Sequence, residues 1–151
     1  MEVYKSLPRV LFLALETCAV IRACLDKDTS SEIRNHPEVR SLQASARYVL
    51  GELYASLDLE KRSARRKETP FEEARRWEQR FKQTMRRLAE AGIKTRRETE
   101  EGWEEYRAQR EEWESKLHRF ASYLGYDWDE VTGDRDLRYA ADEEMEEPEK
   151  G

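Results

Sequence analysis

The stretch that decides the fold is TEEGWEEYRAQREEWESKLHRFASYLG, residues 99–125. Its large side chains recur at alternating intervals of three and four residues, the spacing that places them on one face of an α-helix. The members of this stripe are Trp103, Tyr106, Arg110, Trp113, Leu117, Phe120 and Leu124. Only Arg110 is charged, and we expect it to lie at the edge of the apolar face or to pair with a carboxylate. Glycine at position 125 predicts the end of this helix.

A second amphipathic helix precedes the first one in the chain. Thr69, Pro70 and Glu72 predict its start, because they combine a capping box with a proline at the first helical position. Gly92 predicts its end. Its apolar stripe contains Ala74, Trp77, Phe81, Met85 and Leu88. We expect the two helices to pack as an antiparallel hairpin, whose interaction seam joins Trp77, Phe81, Met85 and Leu88 to the stripe at 103–124.

Opposite charges border this predicted seam. The earlier helix offers Arg75, Arg76, Arg80, Lys82, Arg86 and Arg87, and the later one offers Glu100, Glu101, Glu104, Glu105, Glu111, Glu112 and Glu114. Such flanking charges select the partner helix and its orientation, as they do in coiled coils. Each exposed pair contributes only about 0.2–1 kcal/mol, so we expect the charges to specify the pairing more than they stabilise it.

Two more helices are predicted nearer the start of the chain. The stretch 7–25 begins at Leu7 and Pro8 and has apolar residues all around it, so we expect it to be the most buried element. The next helix begins at Pro37, with Asn35 or His36 as its cap. Its stripe is Val39, Leu42, Ala46, Val49, Leu53 and Leu57. The fold class predicted is therefore all-α, with four main helices arranged as a bundle.

The organisation predicted from these patterns has four parts. Residues 1–59 form an N-terminal helical pair, and residues 60–68 form a basic linker or helix extension. Residues 69–131 form the hairpin with an aromatic closing turn at Tyr126 and Trp128. Residues 132–151 form an acidic tail that we expect to be disordered, because it has few large apolar groups.

The composition limits the size of the core. Of 151 residues, 40% are charged and 38% are hydrophobic, and the net charge is −5. A chain this polar buries a modest core or completes its core against a partner. Cys18 and Cys24 lie on different faces of a helix and cannot bridge each other. With no secretory signal and no long uncharged apolar run, we expect a reduced, cytoplasmic protein.

The acidic stretch GYDWDEVTGD, residues 125–134, has the composition of a metal-binding loop but not its spacing. A calcium loop that started at Asp127 would need an oxygen donor where Val131 stands and a glycine where Thr132 stands. The two histidines, His36 and His118, do not follow a glutamate by three residues, as a di-metal bundle requires. We therefore predict no metal, no cofactor and no catalytic residue here.

An enzymatic alternative remains open at the glutamate-rich start of the helix at 99–125. Glu101 and Glu104 form an E-x-x-E pair of the kind that all-α nucleotide pyrophosphatases use to bind Mg²⁺. No helical E-x-x-D completes the motif in this sequence. A metal-dependent hydrolase is thus an alternative to our main expectation.

The segment 61–67 is the strongest basic cluster in the chain, and it consists of Lys61, Arg62, Arg65, Arg66 and Lys67. We expect a solvated connection here that could also contact an anionic surface. A nucleic-acid-associated protein is a further alternative. The acidic residues that follow would repel phosphates, so we disfavour it.

The run at 75–128 resembles a known group of proteins. It carries Ala91-Gly92-Ile93 between two helices, the pattern W-x-x-Y-x-x-x-R-x-x-W from Trp103 to Trp113, and the aromatic closing turn. Together with the stretch 7–26, it is similar to the soluble helical region that follows the pore in some bacterial two-helix ion channels of the potassium-channel type. The resemblance implies a regulatory or oligomerisation domain whose partner is a channel pore or an anionic lipid surface. No selectivity filter is present in the sequence.

The function expected from the sequence is therefore non-enzymatic. We expect a cytoplasmic helical domain that works by protein–protein contact and forms a homo-oligomer through its aromatic seam.

Overall fold

A computed structural model describes residues 3–61 and 68–134 of the chain, with side chains from residue 7 onward. The six α-helices of these residues are α1 (Val3–Cys24), α2 (Ser31–Arg34), α3 (Pro37–Ser56), α4 (Pro70–Glu90), α5 (Thr99–Tyr123) and α6 (Trp128–Thr132), with one 3₁₀ turn at Leu59–Lys61. In the described ranges the only β-type pairing is an isolated bridge between Leu25 and Thr95. The all-α prediction with four main helices is confirmed.

Helix α1 starts earlier than the sequence suggested. It begins at Val3, so Pro8 lies inside the helix instead of at its first position. Proline at this place removes one backbone hydrogen bond near the helix start. The Pro8 ring is fully buried in the folded chain.

The larger core joins the two halves of the sequence. Phe12 of α1 packs edge-on against Trp113 of α5 and against Trp128 of α6. Helix α3 adds Ala46 and Leu50 to the same cluster. The described residues before position 62 and those after position 67 therefore share one core.

A second, smaller core shows how α4 and α5 pair. Trp77, early in α4, reaches Glu114, late in α5. Phe81, one turn further along α4, contacts Trp103 and Tyr106 near the start of α5. The order of these contacts is reversed between the helices, so α4 and α5 are antiparallel, as predicted.

The predicted helix ends are also observed. Thr69 and Glu72 form a complete capping box at α4. His36 caps α3 by accepting a hydrogen bond from the Glu38 backbone N–H. Gly92 and Gly125 adopt positive φ angles of 80° and 84° directly after α4 and α5. Only glycine enters this region without strain, so each glycine ends its helix.

Helix α5 approaches the end of α1 very closely at Gly102. A Cβ atom at this position would lie 2.7 Å from the backbone oxygen of Ala23. The loops beside this contact are joined as well, because the Arg96 N–H donates to the Cys24 carbonyl at 2.8 Å. Glycine at 102 therefore sets the distance between α1 and α5.

The expectation that the tail is disordered from residue 132 onward is corrected for its first residues. Thr132 and Asp134 are buried, at 4% and 2% exposure, and belong to the packed structure. The reason is that arginines of α4 bind the Asp134 carboxylate. The rest of the tail, 135–151, and the basic segment 62–67 lie outside the described residues.

Within the described part of the chain, no helix combines the length and the apolar character needed to cross a bilayer.

Candidate functional site

Six charged side chains meet in the interior between α1, α4, α5 and the residues after α6. This buried ion network consists of Arg76, Arg80, Arg110, Glu16, Glu114 and Asp134. Its three guanidinium groups and three carboxylates balance in charge. Buried charges are tolerated when they are paired and hydrogen-bonded. Arg76 also donates to the half-buried Glu68 carboxylate at 3.1 and 3.2 Å, so the network extends to the residues just before α4.

Arg110 is the centre of the network. Its side chain is fully buried, with Nε 3.1 Å from Glu16 Oε2 and Nη1 2.6 Å from Glu114 Oε1. Burial alone would lower the pKa of Arg110, but the nearby carboxylates outweigh it and raise the pKa above its ordinary value. The expected pairing with carboxylates is therefore present, whereas the expected position at the edge of the apolar face is wrong.

Tyr106 connects the network to the smaller core. Its hydroxyl donates to Glu16 Oε1 at 2.5 Å and accepts a hydrogen bond from Arg110 Nε at 3.2 Å. Burial raises the pKa of the Tyr106 phenol above its ordinary value. The hydroxyl therefore stays protonated and serves as a fixed donor to Glu16.

Asp134 joins the end of the described chain to α4. Its carboxylate accepts hydrogen bonds from Arg76 Nη1 at 2.8 Å and from Arg80 Nη1 at 2.5 Å. Burial by itself would raise the pKa of Asp134, but Arg80 and Arg76 lower it. The ionised carboxylate thus holds the residues after α6 against α4.

Aromatic rings complete the surroundings of the network. The guanidinium carbons of Arg80 and Arg110 lie 5.0 and 5.1 Å from the centroid of the Phe12 ring. Trp77 Nε1 donates to Glu114 Oε2 at 2.7 Å. Cation–π contacts of this kind add to the stability of buried arginines. The geometry fixes four elements to each other and leaves every carboxylate of the network bound to an arginine.

A second ion cluster lies at the start of α5. Arg96 is almost fully buried and donates to Glu105 at 2.6 Å and to Glu101 at 3.0 Å. Glu101 also pairs with Lys27, and the hydrogen bonds from Lys27 and Arg96 lower its pKa. In the hydrolase alternative, Glu101 would bind Mg²⁺. In the structure its carboxylate is bound by two cationic side chains, Lys27 and Arg96. Across residues 3–61 and 68–134, no group of three His, Cys, Asp or Glu side chains is arranged so that it could hold a metal ion.

Several charged side chains that flank the hairpin seam form ion pairs with residues other than the predicted ones. Arg76 does pair with Glu114, but Arg80 turns to Glu16 and Asp134. The glutamates of α5 reach other elements, as Glu112 does with Arg47 of α3 at 2.6 Å. Arg80 differs because α1 places the Glu16 carboxylate beside the hairpin, and Glu112 differs because α3 brings Arg47 to α5.

The predicted interaction seam is packed inside the chain. Trp77, Phe81, Tyr106, Trp113, Leu117 and Phe120 are buried, and Met85, Leu88, Trp103 and Leu124 are half-buried. Helix α1 covers the seam, which sequence periodicity could not reveal. A partner has to use a different surface of the molecule.

One such surface lies on α1. Val10 and Leu13 are 54% and 47% exposed, so α1 is not buried on all sides as we expected. At about 100° per residue, Thr17 and Ile21 continue the same outward side of the helix. This side is opposite to the one on which Phe12 packs against α5.

Helix α3 extends this surface. Leu42 and Val49 are 46% and 40% exposed. Gln43 and Arg47 of α3 reach α5, so Leu42 and Val49 occupy the flank turned away from α5. We define the α1–α3 face by Val10, Leu13, Thr17 and Ile21 of α1 with Leu42, Ser45 and Val49 of α3.

The basic cluster is described only at its first residue. Lys61 is exposed and lies 4.0 Å from Asp58. The other members, from 62 to 67, are outside the described residues. The proposed contact of this cluster with an anionic surface stays a prediction.

Sequence reasoning missed three residues that organise this region. Glu16 is a charged residue within a largely apolar stretch, and this contrast is the signal in the sequence that could have identified it as a buried ion-pair residue. Asp134 was placed in the tail because its arginine partners are distant in sequence. Gly102 has no local signal, since its requirement comes from the Ala23 carbonyl of another helix.

Comparison with known proteins gave no match. No protein family, no curated protein and no solved structure is similar to this chain at a level that counts as a match. The functional argument therefore uses the geometry of the chain itself.

Proposed function

We propose that this chain is a non-enzymatic helical interaction and assembly domain. The observation that carries the proposal is the α1–α3 face, where large apolar side chains are exposed in a chain that is 40% charged. Contiguous apolar patches on soluble proteins mark interaction surfaces.

The energetic argument concerns Val10, Leu13, Leu42 and Val49, which are all about half exposed. Full burial of one Val or Leu side chain stabilises by about 1.5–3 kcal/mol, so about half of this remains to be gained at each position. A partner that covers the face would gain this free energy.

The interior supports the same proposal. In the buried ion network each carboxylate is bound by at least one arginine, as Asp134 is by Arg76 and Arg80. Such pairs hold helices in a defined arrangement. The network therefore acts as a frame that fixes α1 against α4 and α5, with its outward side left free for a partner.

The test is site-specific photo-cross-linking in the cells that make the protein. A photoreactive residue at Leu13 or Leu42 is expected to give cross-linked protein products. The control position is Phe71 of α4, which is 75% exposed but lies on another helix. Cross-linking at Phe71 but not at Leu13 or Leu42 would refute an interaction role for the α1–α3 face.

A narrower form of the proposal follows from the resemblance of residues 75–128 to channel domains. In that form the partner is a bacterial channel pore beside anionic lipid. Cross-links from Leu13 to a membrane-spanning protein would support it. Cross-links to soluble proteins alone would remove it.

A further inference from the structure

We infer that the acidic segment at 142–149 docks on the outward, basic face of α4 in the same chain. The segment reads DEEMEEPE, with six carboxylates and no cation, and it lies outside the described residues. The basic face of α4 consists of Arg75, Lys82, Arg86 and Arg87, which are all exposed. This surface is separate from the α1–α3 face, so the inference does not depend on the proposed interaction function.

The basic face lies on the side of α4 that is turned away from the core. Trp77 and Phe81 belong to the smaller core. At about 100° per residue, Arg75, Lys82 and Arg86 occupy the opposite side of the helix. Their spacing of seven and four residues places them in one row along the helix.

The carboxylates of α4 neutralise this face only in part. Glu78 pairs with Lys82 at 3.0 Å. Glu72 is held at the start of the helix by the capping box, where it accepts a hydrogen bond from the Thr69 backbone N–H. Glu90 is the last residue of α4. The cations between these ends are therefore in excess.

Two cations of the face have no carboxylate beside them. Arg75 and Arg87 take part in no ion pair of the described residues. By contrast, Arg47 of α3 and Arg107 of α5 each pair with a glutamate. Blocks of like charge such as the segment at 142–149 act as interaction tails, and a row of exposed cations attracts them.

The course of the chain selects its own acidic segment as the occupant. Asp134 is the last described residue, and Arg76 and Arg80 of α4 bind its carboxylate at 2.8 and 2.5 Å. Arg87 follows Arg80 by seven residues and lies on the same flank of the helix. The chain therefore leaves the described structure on α4 itself, beside the basic face.

The length of chain after Asp134 fits this position. Asp142 follows eight residues later, which span roughly 12 Å as a helix and roughly 26 Å when extended. Arg87 lies about 11 Å beyond Arg80 along the axis of α4. Exposed ion pairs are individually weak, so several have to form together. A short tether supplies an effective concentration in the millimolar range, which a separate acidic partner lacks.

The experiment is paramagnetic relaxation NMR on the full, isotope-enriched chain. A spin label is attached at Met145→Cys, in the middle of the acidic segment, and both native cysteines are buried and stay unlabelled. The backbone amide signals of Gln79 and Lys82 are expected to lose most of their intensity relative to the chemically reduced label. The signal of Arg40 on α3 should be unchanged. In 1 M salt the loss should disappear, because the Debye length falls to roughly 3 Å.

Substitutions test the charges on both sides. Replacing all four cations of the basic face of α4 with glutamine should restore the α4 signals. Arg40→Gln is the matched control, because it removes an exposed cation from α3 and should leave the signal loss unchanged. Circular dichroism establishes that each variant is folded. If the fourfold variant unfolds, glutamine at Glu143, Glu144, Glu146 and Glu147 decides, because these changes leave α4 intact.

A mixed sample separates docking within one chain from docking between chains. It combines spin-labelled chain of natural isotope abundance with enriched chain that carries no label, and we expect no signal loss. Equal loss in this sample would assign the contact to another copy and overturn the inference. The inference is also overturned if the label leaves the α4 signals unchanged, if it lowers α3 and α4 signals equally, or if the loss persists at high salt.

Discussion

Arg110 of α5 and Glu16 of α1 face each other in the interior, with Nε and Oε2 3.1 Å apart. The pair joins the C-terminal hairpin to the first helix, and Tyr106 hydrogen-bonds to both residues. It explains why a charged residue stands in the middle of an aromatic stripe. The arginine neutralises a carboxylate that the apolar helix α1 brings into the core.

Replacing Arg110 with methionine should therefore destabilise the fold strongly. The change removes one cation from each of the buried carboxylates Glu16 and Glu114, which keep Arg80 and Arg76, respectively, as their cationic partners, and breaking a buried pair costs about 3–5 kcal/mol. Urea unfolding followed by circular dichroism measures the loss. Arg107→Met is the control, because Arg107 forms an exposed pair with Glu111 on the same helix. We expect the control to change stability by only about 0.2–1 kcal/mol, and equal effects of both changes would contradict a buried network.

The pKa of Asp134 predicts a dependence of stability on pH. Because its folded-state pKa is below the ordinary value of 3.8, the ionised carboxylate stabilises the fold at higher pH. This contribution is lost as the pH falls through the folded-state pKa. Asp134→Asn should cost about 1.5–3 kcal/mol near neutral pH, as the loss of charged hydrogen bonds does.

The measurement for Asp134 is the free energy of unfolding of both proteins between neutral pH and pH 3. The difference between wild type and Asp134→Asn should shrink as the pH is lowered. A difference in the free energy of unfolding that stays constant over this range would show that protonation of the Asp134 carboxylate does not change the stability of the fold.

Two glycine-to-alanine substitutions should change the stability of the fold in opposite directions. Gly102→Ala places a Cβ atom 2.7 Å from the Ala23 oxygen, so α1 and α5 must move apart. Gly51→Ala in α3 meets no atom within 4 Å, and alanine should stabilise this helix by about 0.5–1 kcal/mol. Thermal unfolding is expected to show a lower melting temperature for Gly102→Ala and a higher one for Gly51→Ala. Stabilisation by both would refute the close contact at Gly102.

The thiol of Cys24 should resist chemical modification in the folded protein. Burial raises its pKa to about 12, and Cys18 is buried with a raised pKa as well. Thiolate is the reactive form, so both cysteines should react slowly with a disulfide reagent at pH 8 and rapidly in denaturant. Rapid reaction of the native protein with two equivalents of reagent would contradict the packing of α1.

The sequence predicted the features that depend on neighbours along the chain. The capping box at Thr69, the glycine stop at Gly125 and the stripe of α5 follow from spacings of three and four residues, which local physics determines. The antiparallel pairing of α4 with α5 followed from the short connection between them.

The features that were missed depend on contacts between distant parts of the chain. The burial of the seam requires α1 to lie over it, and the ordering of Asp134 requires the arginines of α4. The exposed side of α1 could not be predicted either, because apolar residues surround this helix in sequence. Which side stays uncovered depends on how α3, α4 and α5 are placed around it.

The central claim is that the outward side of α1 is an interaction surface, and photo-cross-linking at Thr17 in the cells that make the protein tests it most directly. Thr17 is exposed near the middle of the α1 stripe that runs from Val10 to Ile21. A photoreactive residue at Thr17 should give cross-linked protein products, whereas the same residue at the exposed Glu111 of α5 should not. Cross-links from Glu111 but not from Thr17 would contradict the claim.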